Sequence, residues 1–309
     1  MSMSSSLKAV LTGVVSGKIL WDAPLSVRTT YRVGGPADAL VTLLDVKEVQ
    51  AVLRFCYEEN VAWKLIGRGS NILASDDGFR GVIIVLGKGF KYINRLSESP
   101  GEYDHVQVGA AVGLPRFADW SASKQLSGFE FASGIPGTIG GAVVMNAGAW
   151  GKSMVDVIAG VELTDCDQTR IIDAKNLTFS YRCCDTFAAR KKDSVLTGVL
   201  IKLRPGDSGQ IRATMHNLLQ KRKERQPLGL PNGGSVFKNP ENDSAGRLIE
   251  AAGLKGMRIG DAEVSEKHAN FIVNQGGASA ADILSLMDRI KIKVKQQSGV
   301  ELIPEVEIL

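Results

Sequence analysis

The chain of 309 residues has little cysteine and little histidine: four of the first, three of the second. Cys56, Cys166, Cys183 and Cys184 form no CxxC pair and share no ligand-like spacing with the histidines, so zinc and a disulfide framework are both disfavoured, no metal site is expected, and a reducing compartment is the simplest setting. Adjacent Cys183 and Cys184 read as two small residues beside a strand. No run approaches the roughly 20 apolar residues of a membrane span. The opening MSMSSSLKAVLTGVVSGK has a short apolar stretch broken by Thr12 and Gly13, with no clear cleavage site, and is read as an ordinary start, not a signal peptide. Strong charge is missing too: a net +4 would suit an anionic small molecule but is too weak to argue for nucleic acid. No repeat of fixed period is present.

What the sequence does have is an ordinary globular balance, 44% hydrophobic and 23% charged, and 34 glycines gathered in short runs. Its length predicts two or three packed units. In the first, residues 1–90, Ala39 to Leu44 reads as a buried strand. Asp45 then caps a helix, with Glu48 placed for a capping box and Val46, Val49, Val52, Leu53 and Cys56 on one face. Trp63 to Ile66 forms the next strand and runs into Gly67-Arg68-Gly69-Ser70-Asn71. The second unit, 91–205, has strands at 106–109, 157–164, 170–173 and 194–203, with a helix from Leu114 to Lys124 that turns Leu114, Phe117, Ala118 and Ser121 inward. The third, 206–300, opens with a helix from Ile211 to Arg225 burying Ile211, Met215, Leu218 and Leu219. It continues with a strand from Ser235 to Lys238, a helix from Ser244 to Ala252, and strands near Met257 and Phe271. A last helix, Ala280 to Gln297, buries Ile283, Leu284, Met287, Ile290 and Val294, and 301–309 reads as a closing strand.

Two glycine loops carry chemistry. The first, 67–71, follows a strand and could gather backbone N–H groups on an anion with Ser70 and Asn71 as added donors; a tight turn with no ligand is the other reading. It has neither the Rossmann spacing nor a Walker A loop. The second, Ser133-Gly134-Ile135-Pro136-Gly137-Thr138-Ile139-Gly140-Gly141, spends much conformational entropy and makes sense where backbone must approach a flat or charged ligand. Together they indicate an extended, phosphate-bearing ligand.

Further motifs extend this reading: TYRVGGPA at 30–37, SGIPGTIGGAVVMNAGA at 133–149, FSYR at 179–182, KRKERQP at 221–227, GSVFKNP at 234–240, SAGRLIEAAGLKG at 244–256, EKHANFIVN at 266–274 and PEV at 304–306. In this order, over nearly the whole chain, they resemble the UDP-N-acetylenolpyruvoylglucosamine reductase family. The resemblance implies an α+β protein, with an FAD-binding fold of the vanillyl-alcohol oxidase/p-cresol methylhydroxylase type in two subdomains (1–90, joined by 301–309, and 91–205) and a C-terminal α+β substrate domain (206–300).

It further implies a cytoplasmic enzyme of peptidoglycan synthesis that reduces UDP-N-acetylglucosamine enolpyruvate to UDP-N-acetylmuramate through FAD, with NADPH as co-substrate. A nucleotide sugar is the partner, and no nucleic acid, membrane or protein partner is implied. By the same resemblance Ser235 would protonate the substrate carbon, Arg182 would pair with its carboxylate, and Glu305 would polarise the enol system. FAD would contact Gly67, Arg68, Gly69, Ser70, Asn71, Ser133, Gly134, Pro136, Gly137, Thr138, Gly140, Gly141, Asn146 and Gly148. Tyr181, Arg225, Lys238, Asn239 and Asn274 would bind substrate, with Lys221, Arg222 and Lys223 left to complement the helix end. His268 reads as structural. The chain resembles the shorter members, since only Pro205-Gly206-Asp207-Ser208-Gly209 stands where longer ones carry a tyrosine loop. A related FAD oxidase and a basic nucleic-acid-binding protein are the competing readings.

Overall fold

A computed structural model describes residues 3–97, 102–189 and 193–309. Its local elements follow from capping and period. Ser4 Oγ accepts from the Leu7 amide and starts a helix, Ser5–Val14, within the opening segment. Asp45 caps the Val46–Glu58 helix as expected, accepting from the Glu48 amide at 3.0 Å. The expected reciprocal half of the capping box is not made. The Glu48 carboxylate is buried and accepts from the Ser16 amide at 2.8 Å, from the Ser16 hydroxyl and from the Leu44 amide, so tertiary partners outcompete the local one.

The described chain gathers into two compact units, each built from separated stretches. The first takes in Met1–Trp21, Ala39–Gly67 and Arg80–Gln220. A sheet runs in the order Ile19–Pro24, Pro36–Leu43, Phe79–Leu86, Trp63–Leu65, the last two parallel. A second sheet is antiparallel: Thr169–Asp173, Ile158–Thr164, Val195–Pro205, Asp104–Gly109, Ile93–Ser97, with Leu126–Ser127 also paired to the long central strand. The expected strands are thus present, and the Leu114–Ser123 helix buries Leu114, Phe117, Ala118 and Ser121 as its period predicts. These elements share one apolar core, in which Phe117 meets Phe129 edge-on at 4.7 Å.

The second unit takes in Asp22–Asp38, Arg68–Phe79 and Lys221–Leu309. Helix Ala280–Ser298 starts in a full capping box, Ser279 with Asp282, and stops at left-handed Gly299. It buries Ile283, Leu286, Met287, Ile290 and Val294, each worth roughly 1.5–3 kcal/mol relative to exposure. Leu284, expected inside, is only partly covered, and Leu286 takes its place. Likewise Leu218 and Leu219 are only half-buried on the Ser208–Arg225 helix.

The expected strand from Ser235 to Lys238 does not form. Its backbone alternates between partners: Val236 N–H donates to the Asn270 carbonyl, the Asn270 amide takes both Phe237 N–H and C=O, and Lys238 N–H donates to Ile303. Only Phe237–Pro304 is a sheet-like bridge. The closing strand shrinks to Glu307–Ile308, paired parallel with Ile72–Leu73.

Candidate active site

In the second unit, the 234–240 segment, the 68–71 loop and the C-terminal segment come together through their backbones. Glu305 N–H donates to the Val236 carbonyl at 2.8 Å, setting the chain beside Ser235 against the chain at Glu305. Asn71 Nδ2 donates to the Glu305 carbonyl at 3.0 Å, and Glu307 N–H returns a bond to the Asn71 carbonyl at 3.0 Å. Two segments far from it in sequence therefore fix Glu305 from both sides. Ser235 is half-buried, next to Gly234 at φ +80°.

Under this loop lies Tyr31, fully buried, its ring so close to Gly233 that a Cβ there would enter it. Burial drives the Tyr31 hydroxyl pKa far above its ordinary value, so it stays protonated. Asn274 holds Tyr31 from behind: Nδ2 donates to the Tyr31 carbonyl at 3.0 Å, while Oδ1 accepts from the amides of Gly276 at 2.8 Å and Ala278 at 3.0 Å. Expected as a substrate contact, Asn274 is 2% exposed, with its amide engaged by the protein on both sides. Asn239 is exposed, and its Oδ1 accepts from the Ala245 amide at 3.0 Å at the start of the Ala245–Ala251 helix. Lys238 is half-buried and Arg225 exposed.

The cationic helix end holds what the sequence reading passed over. Arg222 Nε and Gln226 Oε1, one turn apart, are buried with no hydrogen-bond partner among the described residues, and burial pulls the Arg222 pKa down. Buried polar atoms are rarely left so without a ligand or water to meet them. A signal existed: Ile211, Met215, Leu218 and Leu219 set a stripe whose i+4 continuation lands on Arg222 and Gln226.

The first unit holds Arg182 and the 133–149 segment. Arg182 is half-buried, with φ +59°, the second of two residues joining Phe179–Ser180 to Cys183–Cys184. Its Nη1 donates to the Gly148 carbonyl at 3.1 Å, and its guanidinium lies 5.2 Å from the ring centre of Tyr181, which is exposed. Asn146 is buried, and its Nδ2 donates to the Ser180 carbonyl at 3.0 Å. At the head of the glycine segment Ser133 Oγ is buried without a partner among the described residues. Thr138 caps the short Ile139–Val144 helix, and a Cβ on Gly67 would meet its Oγ1 at 2.7 Å. Gly140 packs against Ala110, where a Cβ would come within 2.9 Å of the alanine methyl. Gly137 has φ +145°, and exposed Pro136 and half-buried Gly134 complete the loop.

Both ends of the chain match known domains. Residues 37–174 match an FAD binding domain, and residues 226–309 match the C-terminal domain of UDP-N-acetylenolpyruvoylglucosamine reductase. The protein of Symbiobacterium thermophilum called UDP-N-acetylenolpyruvoylglucosamine reductase 2 is 41% identical over 308 residues, covering 99% of this chain and 96% of its own. The Bacillus subtilis UDP-N-acetylenolpyruvoylglucosamine reductase is 41% identical over 294 residues, 95% of this chain and 94% of its own. The crystal structure of the Thermus caldophilus reductase superposes with a TM-score of 0.79 at 32% identity, covering 94% of this chain and 98% of that one. The expected α+β fold, with an FAD-binding part and a C-terminal domain of its own, is borne out. With both domains matched in order and relatives aligned end to end, the chain belongs to the UDP-N-acetylenolpyruvoylglucosamine reductase family and is an FAD-dependent oxidoreductase.

Proposed function

We propose that this chain reduces the enolpyruvyl ether of UDP-N-acetylglucosamine enolpyruvate to UDP-N-acetylmuramate, with NADPH as the source of electrons, for peptidoglycan synthesis. A cytoplasmic setting belongs to the proposal, in keeping with four free thiols. The observation that carries the catalytic assignment is the 2.8 Å bond from Glu305 N–H to Val236 O, which sets Ser235 and Glu305 on neighbouring chain segments.

The residues fit FAD. Ser133 Oγ is a buried hydroxyl in want of a partner at the entrance to the 133–141 loop, and Gly67, packed on Thr138, and Gly140 have no room for a side chain. Those residues, with the 68–71 loop, Gly134, Pro136, Gly137, Gly141 and Gly148, would hold it. When bound, FAD supplies the hydride for the terminal carbon of the enolpyruvyl group.

The chain's own residues complete the addition. Negative charge that develops beside the substrate carboxylate is met by Arg182, whose planar fork suits two oxygens together. Ser235 gives its hydroxyl proton to the carbon next to the carboxylate. A serine hydroxyl is a weak acid and serves only when held close and aligned; the backbone bonds of Val236, the next residue, would help to hold it so. Glu305, fixed by Asn71 and Val236, would polarise the enol system. The orphaned Nε of Arg222, beside Arg225, offers a donor to an anionic diphosphate. Lys238, Asn239 and Tyr181 would add contacts, and Asn274 would act through Tyr31.

An anaerobic titration of the purified protein tests this. NADPH should bleach the flavin absorption, and UDP-N-acetylglucosamine enolpyruvate should restore it. Reduced flavin that ignores this compound but reoxidises rapidly in oxygen would put an oxidase in place of the proposed reaction.

A further inference from the structure

We propose that Asn146 is a positioning residue for Arg182: its side-chain amide clamps the turn that carries the guanidinium. The inference rests on the reading that Arg182 receives the substrate carboxylate.

Arg182 occupies a left-handed conformation, φ +59°, in a two-residue hairpin loop. Glycine and asparagine fill such a position readily; an arginine does so only where its surroundings hold it. Two of the groups that hold it come from one short stretch, 146–148. Asn146 Nδ2 donates to the Ser180 carbonyl at 3.0 Å, which fixes the first strand of the hairpin just before the loop. Two residues on, the Gly148 carbonyl accepts from Arg182 Nη1 at 3.1 Å, which fixes the far end of the side chain. The backbone root and the guanidinium tip of Arg182 are therefore referred to the same three residues.

Asn146 is itself locked. Its Oδ1 accepts from the Val155 amide at 3.1 Å, the residue is 8% exposed, and it too is left-handed, at φ +41°. An asparagine suits this place for two reasons: it tolerates positive φ, and it offers one donor and one acceptor at once. The hairpin has its own brace, Ser180 Oγ to Asp185 Oδ1 at 2.9 Å, so loss of the Asn146 donor should loosen the aim of Arg182 without unfolding the turn.

Equilibrium binding separates aim from fold. The probes are UDP-N-acetylmuramate, which has a carboxylate, and UDP-N-acetylglucosamine, which lacks it. Calorimetry would compare wild type, Asn146→Ala, Arg182→Ala and the double variant. A well-placed charged hydrogen bond contributes about 10-fold to 100-fold in affinity. Arg182→Ala should remove that advantage of the carboxylate-bearing ligand. Asn146→Ala should remove most of it while leaving UDP-N-acetylglucosamine binding within about 2-fold, and the double variant should lose no more than Arg182→Ala alone.

If Arg182→Ala loses the preference and Asn146→Ala keeps it, the positioning role is overturned and the function of Arg182 stands. Equal weakening of both ligands by Asn146→Ala overturns it as well, because that is the mark of a general defect. If Arg182→Ala retains the preference, the reading of Arg182 itself fails and the inference falls with it. Should Asn146→Ala not fold, Asn146→Asp decides the matter. It tolerates positive φ and keeps the acceptor for Val155, but it has no donor for Ser180, and it should show the same selective loss.

Discussion

Asn274→Ala should be among the most damaging substitutions outside the apolar core. The side chain is 2% exposed and makes three hydrogen bonds, to the Tyr31 carbonyl at 3.0 Å and from the Gly276 and Ala278 amides at 2.8 and 3.0 Å. Truncation leaves three backbone groups to find partners. A buried polar group left unsatisfied costs about 1–3 kcal/mol. Gly276 and Ala278 lie on a turn that water can reach in part, whereas Tyr31 is fully enclosed, so the sum should fall near 3–5 kcal/mol, at the upper end for single substitutions. Urea unfolding followed by far-ultraviolet circular dichroism would measure it, at fixed flavin concentration because a bound ligand raises the apparent stability. Asn274→Asp keeps both accepted bonds but sets a buried carboxylate oxygen against the Tyr31 carbonyl, so its cost should be at least as large. A loss below about 1 kcal/mol for Asn274→Ala would refute the claim that this amide holds Tyr31 beneath the Ser235 loop.

Further outcomes follow from the same geometry. Gly140→Ala puts a methyl 2.9 Å from the Ala110 Cβ and 3.2 Å from its carbonyl oxygen, and should cost about 1–3 kcal/mol by thermal unfolding. Its neighbour Gly141→Ala meets nothing nearer than Thr138 Oγ1 at 3.4 Å and should change stability by less than about 1 kcal/mol. Burial above all holds the His268 pKa below its usual 6.5, against a backbone hydrogen bond that raises it, with smaller opposite pulls from Lys255 and Glu250, and Nδ1 accepts from the Asn270 amide at 3.2 Å. The folded protein therefore favours neutral His268 while the unfolded chain takes up a proton below about pH 6.5, so stability should fall as pH drops from 7 towards 5. His268→Gln should be less stable at pH 7.5 yet show a shallower acid slope in the same range; an unchanged slope would exclude His268 as its source.

Much of this arrangement is legible in the sequence, wherever a local rule decides the outcome. The face of Leu114, Phe117, Ala118 and Ser121 follows from helical period, and the start of the Val46–Glu58 helix from the Asp45 carboxylate. The rule fails where distant partners compete. Glu48 abandons its own cap for Ser16 and Leu44. The 235–238 segment looks like a strand, but its hydrogen bonds go to Asn270 and Ile303, and no pattern within 235–238 announces them. The density of glycine in 133–141 is plain; that Gly140 answers to Ala110 is not, because a close backbone approach leaves no trace at the other end. Among the cations of 221–225, position along the helical stripe, more than charge, distinguishes Arg222. The work of Asn146 and Asn274 is invisible in sequence, since an amide gives no sign of which carbonyl it meets.

The central claim is that Ser235 delivers the proton that completes reduction. Wild type and Ser235→Ala would each be reduced anaerobically and mixed with UDP-N-acetylglucosamine enolpyruvate in a stopped-flow instrument, with flavin reoxidation followed by absorbance. The account predicts reduction by NADPH at similar rates in both proteins, and reoxidation by substrate at least about 100-fold slower in the variant, the usual worth of a positioned acid. Reoxidation of Ser235→Ala at the wild-type rate would contradict it and remove Ser235 from the chemistry.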